Sequence, residues 1–316
     1  MESGVPIDIL LPLVVAAMML GVGMNLRGAD FIALTRARRA AAVGLLNMYV
    51  LFPALAFAIA ALFPLTPEIS VGLVLLAVSP SASTSTLFTH LARGDAALAL
   101  ALTSISKFLP VFFIPLCVGL AVTWFTASER VIELSFSETS ERLLIMVLLP
   151  VVLGMTLLRR WPEPTARLRP WVTRLSVLAL VALIAALVIR ERENLPGMFL
   201  AAGPAALTLC LLGMVCAWLT AHLTRVGTAR RTAITIEVGM QSGGTSIAIA
   251  AGVLGDPMMA IPAAVYSLIM YVAAFTFVWW RRRAPAGVAP TESPSGSDPT
   301  SSGSDPEGNK TSVRYQ

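Results

Sequence analysis

Apolar residues in this chain form long segments separated by short polar loops. The sequence predicts nine such segments, at residues 8–26, 38–63, 68–92, 96–125, 142–158, 171–189, 197–221, 232–254 and 259–280. Most of them approach the ~20 residues that a helix needs to cross a hydrocarbon core about 30 Å thick. The pattern therefore predicts an all-α polytopic membrane protein with nine transmembrane helices.

Two of the predicted spans are interrupted by polar residues. The third span carries six hydroxyl side chains around Pro80, within residues 79–86, and the eighth carries Glu237, Gln241 and a pair of glycines. Proline interrupts the hydrogen bonding of a helix, and the freed backbone groups need partners because the hydrocarbon holds no water. Serine and threonine can also bond back to their own helix. The clustering instead favours two broken helices, which in transporters bind ions and substrates.

Composition and charge place the chain in a membrane. It is 56% hydrophobic and only 13% charged, whereas soluble domains carry about 25% charged residues. Lysine and arginine concentrate in loops on the cytoplasmic side of a membrane. With the N-terminus outside and the C-terminus in the cytoplasm, the inner loops hold sixteen arginines and the outer loops four. The net charge of +5 therefore reflects topology in an inner or plasma membrane and predicts no nucleic-acid partner.

A repeat relates the two interrupted spans. At an offset of 161 residues, five positions coincide: Ser81/Ser242, Thr84/Thr245, Ser85/Ser246, Gly94/Gly255 and Asp95/Asp256. The predicted topology puts Gly94-Asp95 inside and Gly255-Asp256 outside, so the two copies run in opposite directions. Inverted repeats with a polar break in each copy are typical of transporters whose site lies near the middle of the membrane.

Glu237 and Lys107 are the ionisable residues that the pattern places deepest in the membrane. A charge at that depth is expensive and marks a functional site by default. Lys107 lies twelve residues past Asp95, or about 18 Å along the fourth span. We expect the two residues to be partners. The alternatives are that Glu237 faces its helix end and pairs with Arg230 or Arg231, and that Lys107 faces water or carries a proton.

The sequence does not indicate an enzyme, a further cofactor or a protein partner. The sequence contains no Ser-His-Asp set, no phosphate-binding glycine loop and no cysteine or histidine pair at metal-ligand spacing, so we predict neither an enzyme nor a cofactor beyond a sodium ion. Residues 284–316 are rich in Ser, Gly, Pro and acids, and we predict a disordered cytoplasmic tail. Nothing in the sequence indicates a protein partner.

The motifs resemble those of the bile acid:sodium symporter family. The matching stretches are Ala92-Arg93-Gly94-Asp95 after the Pro-Ser-Thr segment, Ile236-Glu237-Val238-Gly239-Met240-Gln241, and Gly23-Met24-Asn25-Leu26 with Asp30-Phe31. The resemblance implies the nine-helix form of that fold. It divides a transporter domain at 1–283 into a core, about 38–125 and 197–280, and a panel domain, about 8–26 and 142–189. Two broken helices, here the third and eighth spans, would cross within the core.

The resemblance also implies ion-binding and substrate-binding residues. A first sodium site would use Ser85, Thr103 and Glu237, with Thr86 where the family has asparagine and Ala99 where it has serine. A second would use Glu237, Val238, Met240 and Gln241, with Met48 in place of a glutamine. Substrate would contact Ser83, Ser242, Gly243 and Tyr271, with Ser242 in place of asparagine. In span four, Lys107 replaces a small or polar residue.

These departures lead to a functional hypothesis. Ala99 and Met48 remove oxygen ligands for a cation, and Lys107 adds a fixed positive charge. We therefore expect a secondary transporter of small organic anions, bile-acid-like carboxylates or sulfonates, in which the Lys107 ammonium weakens or replaces sodium coupling. The alternatives are a conventional sodium symporter that keeps a site at Glu237 and Gln241, and a membrane receptor or sensor that does not transport.

Overall fold

The described part of the chain is helical. The computed structural model describes residues 16–21, 23–24, 37–126, 136–190 and 195–283. In chain order the named helices are α1 (Arg38–Leu46), α2 (Phe52–Leu62), α3 (Pro67–Ala77), α4 (Ser85–Leu91), α5 (Ala96–Ser106), α6 (Pro110–Thr126), α7 (Phe136–Arg160), α8 (Pro162–Arg190), α9 (Leu195–Leu223), α10 (Thr228–Gly239), α11 (Gly243–Ile249) and α12 (Ile261–Arg283). Two π turns, Asn47–Leu51 and Ala250–Leu254, and a 3₁₀ turn, Pro257–Ala260, complete these elements.

Several helices have the length and apolar character of membrane spans. Within the described residues, Arg38–Leu62, Phe199–Leu223 and Pro257–Arg283 are long and apolar enough to cross a bilayer, and the pair Ala96–Ser106 and Pro110–Phe125, bent by 60°, can form a fourth span. The prediction of an all-helical protein with apolar spans is confirmed for this part of the chain. The count of nine helices, the inverted repeat and the core and panel boundaries stay predictions.

Some sequence predictions fall outside the described residues. These are most of the first span, the 25–31 motif, the loops at 127–135 and 191–194, and the tail from residue 284.

The part of the first segment that is described packs closely on α7. A Cβ added to Gly23 would lie 2.2 Å from the carbonyl oxygen of Val151, and one on Gly154 would lie 2.4 Å from that of Leu20. Small residues allow such close helix crossings in membranes.

A π turn widens the span formed by α1 and α2. The Phe52 N–H donates to the Asn47 carbonyl five residues earlier, and Pro53, which has no N–H, follows directly. The buried Asn47 side chain donates to the Val43 carbonyl and to Thr220 Oγ1 on α9, both at 2.8 Å. This polar contact fixes the span against α9 and places Met48, where the family resemblance expects glutamine, inside the protein.

Capping residues start the helices around the two polar breaks. Asp95 caps α5 by accepting from the Leu98 N–H at 3.0 Å, and Asp256 caps the 3₁₀ turn by accepting from the Met258 N–H at 2.8 Å. Ser242 caps α11 in the same way. The two aspartates that coincide in the predicted repeat thus play the same local role.

Gly72 allows α3 to approach the 3₁₀ turn, and it provides a stability prediction. A Cβ on Gly72 would lie 2.2 Å from the carbonyl oxygen of Met259, which is backbone and cannot rotate away. We expect Gly72→Ala to lower the free energy of unfolding by about 1–3 kcal/mol, the usual cost of overpacking. Thermal unfolding in detergent measures this effect. Gly203→Ala is the matched control because nothing lies within 4 Å of its added Cβ; equal stability of the two variants would contradict the prediction.

Candidate functional site

The two polar breaks cross each other and are hydrogen-bonded through their backbones. The Ala82 N–H donates to the Met240 carbonyl at 2.8 Å, and the Ser242 N–H donates to the Pro80 carbonyl at 2.7 Å. The segments run antiparallel at Ser81 and Gln241. Each break thus satisfies backbone groups that the other leaves without a helical partner, which non-helical backbone requires inside a membrane protein. Both breaks that the sequence predicted are present.

Glu237 lies in the last turn of α10, directly before the crossing, and is completely buried. Ser85 at the start of α4 donates its hydroxyl to Glu237 Oε1 at 2.5 Å. Thr103 Oγ1 on α5 lies 3.1 Å and 3.0 Å from the two carboxylate oxygens. Thr86 Oγ1 lies 3.4 Å from the Thr103 hydroxyl. Three helices therefore bring together the residues for which the sequence predicted a first ion site.

These hydroxyls solvate the carboxylate but leave its charge uncompensated. The single hydroxyl hydrogen of Thr103 is shared among Glu237 and the Ala99 carbonyl, which lies 2.9 Å away. A buried ion costs several kcal/mol even after relaxation of its surroundings (order of magnitude). Neutral donors recover only part of that cost. A cation near Glu237, or a proton on its carboxyl group, would offset that cost.

Lys107 is the basic residue that lies closest in the sequence to Thr103, which contacts Glu237. It follows the last residue of α5 and lies at the bend between α5 and α6, one helical turn after Thr103. Its side chain is partly buried, and it follows the helix from which Thr103 contacts Glu237. The partnership of Lys107 with Glu237 stays a prediction.

The arginines that were the alternative partners of Glu237 are engaged elsewhere. Arg230 pairs with Asp95, with 3.4 Å between Nε and Oδ2. The Arg231 guanidinium donates to the Val226 carbonyl at 3.3 Å and stacks over Trp218. Both lie in the first turn of α10, whereas Glu237 lies in its last. The geometry does not support the alternative in which Glu237 pairs at the helix end.

A second set of bonds, which the sequence did not predict, supports the crossing. Ser81 donates its hydroxyl to the Glu237 carbonyl at 2.6 Å, and its N–H donates to Ser106 Oγ at 3.1 Å. The buried Tyr49 hydroxyl donates to the Ser106 carbonyl at 3.2 Å, and the buried Tyr266 hydroxyl donates to the Gly239 carbonyl at 3.0 Å. The sequence did indicate that the two tyrosine hydroxyls would be hydrogen-bonded, because a tyrosine buried in an apolar helix needs a partner for its hydroxyl.

Each broken segment also holds a buried side-chain oxygen without a hydrogen-bond partner. In the first it is Thr84 Oγ1, and in the second it is Gln241 Oε1, whose residue is 1% exposed. The Gln241 amide nitrogen donates to the Val238 carbonyl at 2.9 Å, so its oxygen remains available. Leaving a buried acceptor unsatisfied costs about 1–3 kcal/mol. These oxygens are suited to bind a cation, a water molecule or a donor group of a substrate.

The four predicted substrate residues lie in different surroundings. Ser83 is exposed and Ser242 is partly buried, both close to the crossing. Gly243 instead packs against α12, where an added Cβ would lie 1.9 Å from Ser267 Oγ. Tyr271 is 38% exposed and stacks beside Phe88, with ring centroids 5.9 Å apart. Gly243 has a packing role here, and substrate contact at all four positions stays a prediction.

A comparison with known families identifies the family of this chain. A sequence model described as the sodium bile acid symporter family matches residues 12–197, more than half of the chain. The chain belongs to the sodium bile acid symporter family. It is accordingly an integral membrane transporter and not an enzyme, which confirms the class predicted from the motifs.

Individual relatives agree with this assignment. The chain is 31% identical over 255 residues to the uncharacterized sodium-dependent transporter YocS of Bacillus subtilis, covering 79% of this chain and 76% of the relative. It is 28% identical over 272 residues to the probable sodium/metabolite cotransporter BASS1 of Arabidopsis thaliana, covering 84% of this chain but 65% of the relative. A human relative, P3 protein, is 28% identical over 63% of this chain and 42% of its own length.

Proposed function

We propose that this family member is a secondary transporter of small organic anions in which the Lys107 ammonium provides the positive charge that balances Glu237. The observation that carries this proposal is the completely buried Glu237 carboxylate at the crossing of two broken helices, held by neutral hydroxyls, one of them on Thr103, one helical turn before Lys107. Substrate movement would follow from alternating access, a rigid motion of core against panel.

A fixed ammonium disfavours sodium at the same place. Two unit positive charges ~6 Å apart repel each other by about 3 kcal/mol at an effective dielectric constant of ~20, so an ammonium close to Glu237 would weaken sodium binding there. That repulsion corresponds to more than a hundredfold in affinity. The chain also lacks oxygen ligands at Ala99 and Met48, both of which are buried and apolar. Charge and the missing ligand at Ala99 thus act against the first sodium site, and the missing ligand at Met48 acts against the second.

The chemistry around the crossing suits an anionic substrate. Ser83 and Ser242 offer hydroxyl donors at accessible positions, and the positive charge of Lys107 lies in the adjoining bend. A carboxylate or sulfonate accepts hydrogen bonds from hydroxyls and is attracted to a cation. The names of the plant relatives, which refer to metabolites, are compatible with a small organic substrate.

A second candidate, a conventional sodium symporter, is favoured by a specific observation. Gln241 Oε1 is buried without a hydrogen-bond partner, next to the backbone of Val238 and Met240. Amide and carbonyl oxygens suit hard cations, a preference described for calcium and magnesium that we extend to sodium. Relatives named as sodium-dependent or sodium/metabolite transporters agree with this candidate. In it, one sodium ion would bind between Glu237 and Gln241.

Flux in reconstituted vesicles tests transport itself. Organic anions are first screened by thermal shift of the purified protein, in sodium and in choline buffer, and the strongest stabiliser is then followed as a radiolabelled substrate. We expect uptake into proteoliposomes that saturates with concentration and is absent from protein-free vesicles. Binding without uptake would contradict transport and would favour the receptor or sensor that the sequence left open.

A further inference from the structure

An apolar groove lies between exposed faces of α9 and α12, and none of its lining residues belongs to the predicted ion or substrate sites. It has a volume of about 620 Å³. Its lining is apolar except for Thr276, whose hydroxyl donates to the Val272 carbonyl of its own helix. The lining residues are Leu207, Leu211, Met214, Val215, Leu268, Ile269, Val272, Ala273, Thr276, Phe277 and Trp280. Besides Thr276, the Trp280 indole N–H is the polar group of this lining, so the groove is suited to an apolar chain.

The groove has the length of one membrane leaflet. Along α12 it extends from Leu268 to Trp280, or about 18 Å at 1.5 Å per residue. Half of a hydrocarbon core about 30 Å thick is ~15 Å. The groove ends at Trp280, where the sequence turns from apolar to basic at Arg281. Tryptophan beside arginine is typical of the boundary between hydrocarbon and headgroups.

Two arginines converge at that end of the groove. The guanidinium carbons of Arg231 and Arg281 lie 4.8 Å and 5.6 Å from the centre of the Trp218 ring, and that ring packs on Trp280 with centroids 5.4 Å apart. The two guanidinium groups lie close enough to repel each other. Two positive charges held together in this way attract an anion.

The protein itself supplies only neutral partners to this pair. Arg231 donates to the Val226 carbonyl at 3.3 Å, and its Nε is buried without a partner. Arg281 donates to Thr232 Oγ1 at 3.1 Å. In the part of the chain that the structure describes, neither guanidinium contacts a carboxylate, since Asp95 pairs with Arg230. The end of the groove is therefore suited to a phosphate.

We propose that this groove binds one anionic glycerophospholipid, with an acyl chain along α9 and α12 and its phosphate at Arg231 and Arg281. The basic end lies on the side that the arginine distribution assigns to the cytoplasm, where anionic lipids attract basic residues. Arginine also binds phosphate well because its planar guanidinium donates two parallel hydrogen bonds. This lipid site is separate from the Glu237 site and does not depend on the transported substrate.

Quenching of tryptophan fluorescence by brominated lipids tests the proposal. The protein is reconstituted in phosphatidylcholine vesicles containing a small fixed fraction of either dibromo-phosphatidylglycerol or dibromo-phosphatidylcholine. We expect stronger quenching by the anionic lipid, corresponding to at least a ~3-fold preference, because Trp280 and Trp218 lie at the site. Arg231→Gln combined with Arg281→Gln should abolish the preference. Arg159→Gln with Arg160→Gln, an exposed pair of equal charge at the end of α7, should preserve it.

A variant that fills the groove tests the contact with the acyl chain independently of the contact with the headgroup. Ala273→Phe should reduce quenching by the anionic lipid towards that of phosphatidylcholine, while both arginines remain. Equal quenching by the two lipids in the unmodified protein would overturn the proposal. So would efficient disulfide cross-linking of Ala273→Cys between copies in the vesicles, since a second protein chain would then occupy the groove.

Discussion

Replacing Glu237 by glutamine is expected to abolish transport while leaving the protein folded. Glutamine has the same shape and can accept from Ser85, and the hydroxyl of Thr103 can rotate towards the new amide group. The charge that balances the cation at the site is lost, however. We expect the uncompensated charge to raise the barrier of the transport cycle by about 3 kcal/mol, which corresponds to a loss of at least a hundredfold in flux.

Uptake of the substrate into proteoliposomes measures this effect, with thermal unfolding as the check on folding. Glu163→Gln is the matched control because Glu163 is an exposed carboxylate at the start of α8, far along the chain from the crossing. The control should transport like the unmodified protein. A Glu237→Gln variant that retains half of the flux would show that the charge has no role in transport.

Variants of Lys107 are expected to separate two roles of its ammonium, as a fixed counter-charge for Glu237 and as a carrier of a proton. In Lys107→Met the carboxylate loses its counter-charge, so flux in choline buffer should fall at least ~10-fold, and sodium should restore part of it by taking the vacated place. Lys107→Arg keeps the positive charge and should keep transport independent of sodium. Since arginine does not release its proton, that variant should also lose any response to an imposed pH gradient if Lys107 carries the proton.

Both Lys107 variants are measured in the same flux assay, with Arg159→Met as the control for loss of an exposed positive charge. A Lys107→Met protein that transports at the original rate in choline, without response to sodium, would contradict the role of Lys107 as counter-charge. A Lys107→Arg protein that still responds to pH would assign the proton to another residue and leave the fixed-charge role intact.

Sequence patterns predicted the helices and the position of the site because both depend on local composition. Long apolar segments require helices in a membrane, and a proline or a glycine pair marks where a helix breaks. A charge such as Glu237 inside an apolar segment is conspicuous by its cost. Its cluster with Ser85 and Thr103 came from the family resemblance, and the structure brings these three residues into contact.

Contacts between side chains that lie far apart in the sequence could not be predicted from its patterns. The bonds of Tyr49 and Tyr266 to backbone carbonyls depend on which helix faces which, and hydrophobic periodicity does not contain that information in a chain that is apolar on every side. The packing of Gly243 on α12, where an added Cβ would lie close to Ser267 Oγ and to the Ala263 carbonyl oxygen, was likewise not predicted. Its contact with substrate stays a prediction.

The sodium dependence of uptake tests the central claim, that Lys107 replaces the coupled cation at Glu237. Uptake of the identified anion is measured in proteoliposomes at constant pH, with an inward sodium gradient and with choline in its place. The Lys107 account predicts rates that agree within about twofold, because the ammonium already neutralises the carboxylate. A tenfold stimulation by sodium would contradict it and would support a sodium ion bound between Glu237 and Gln241.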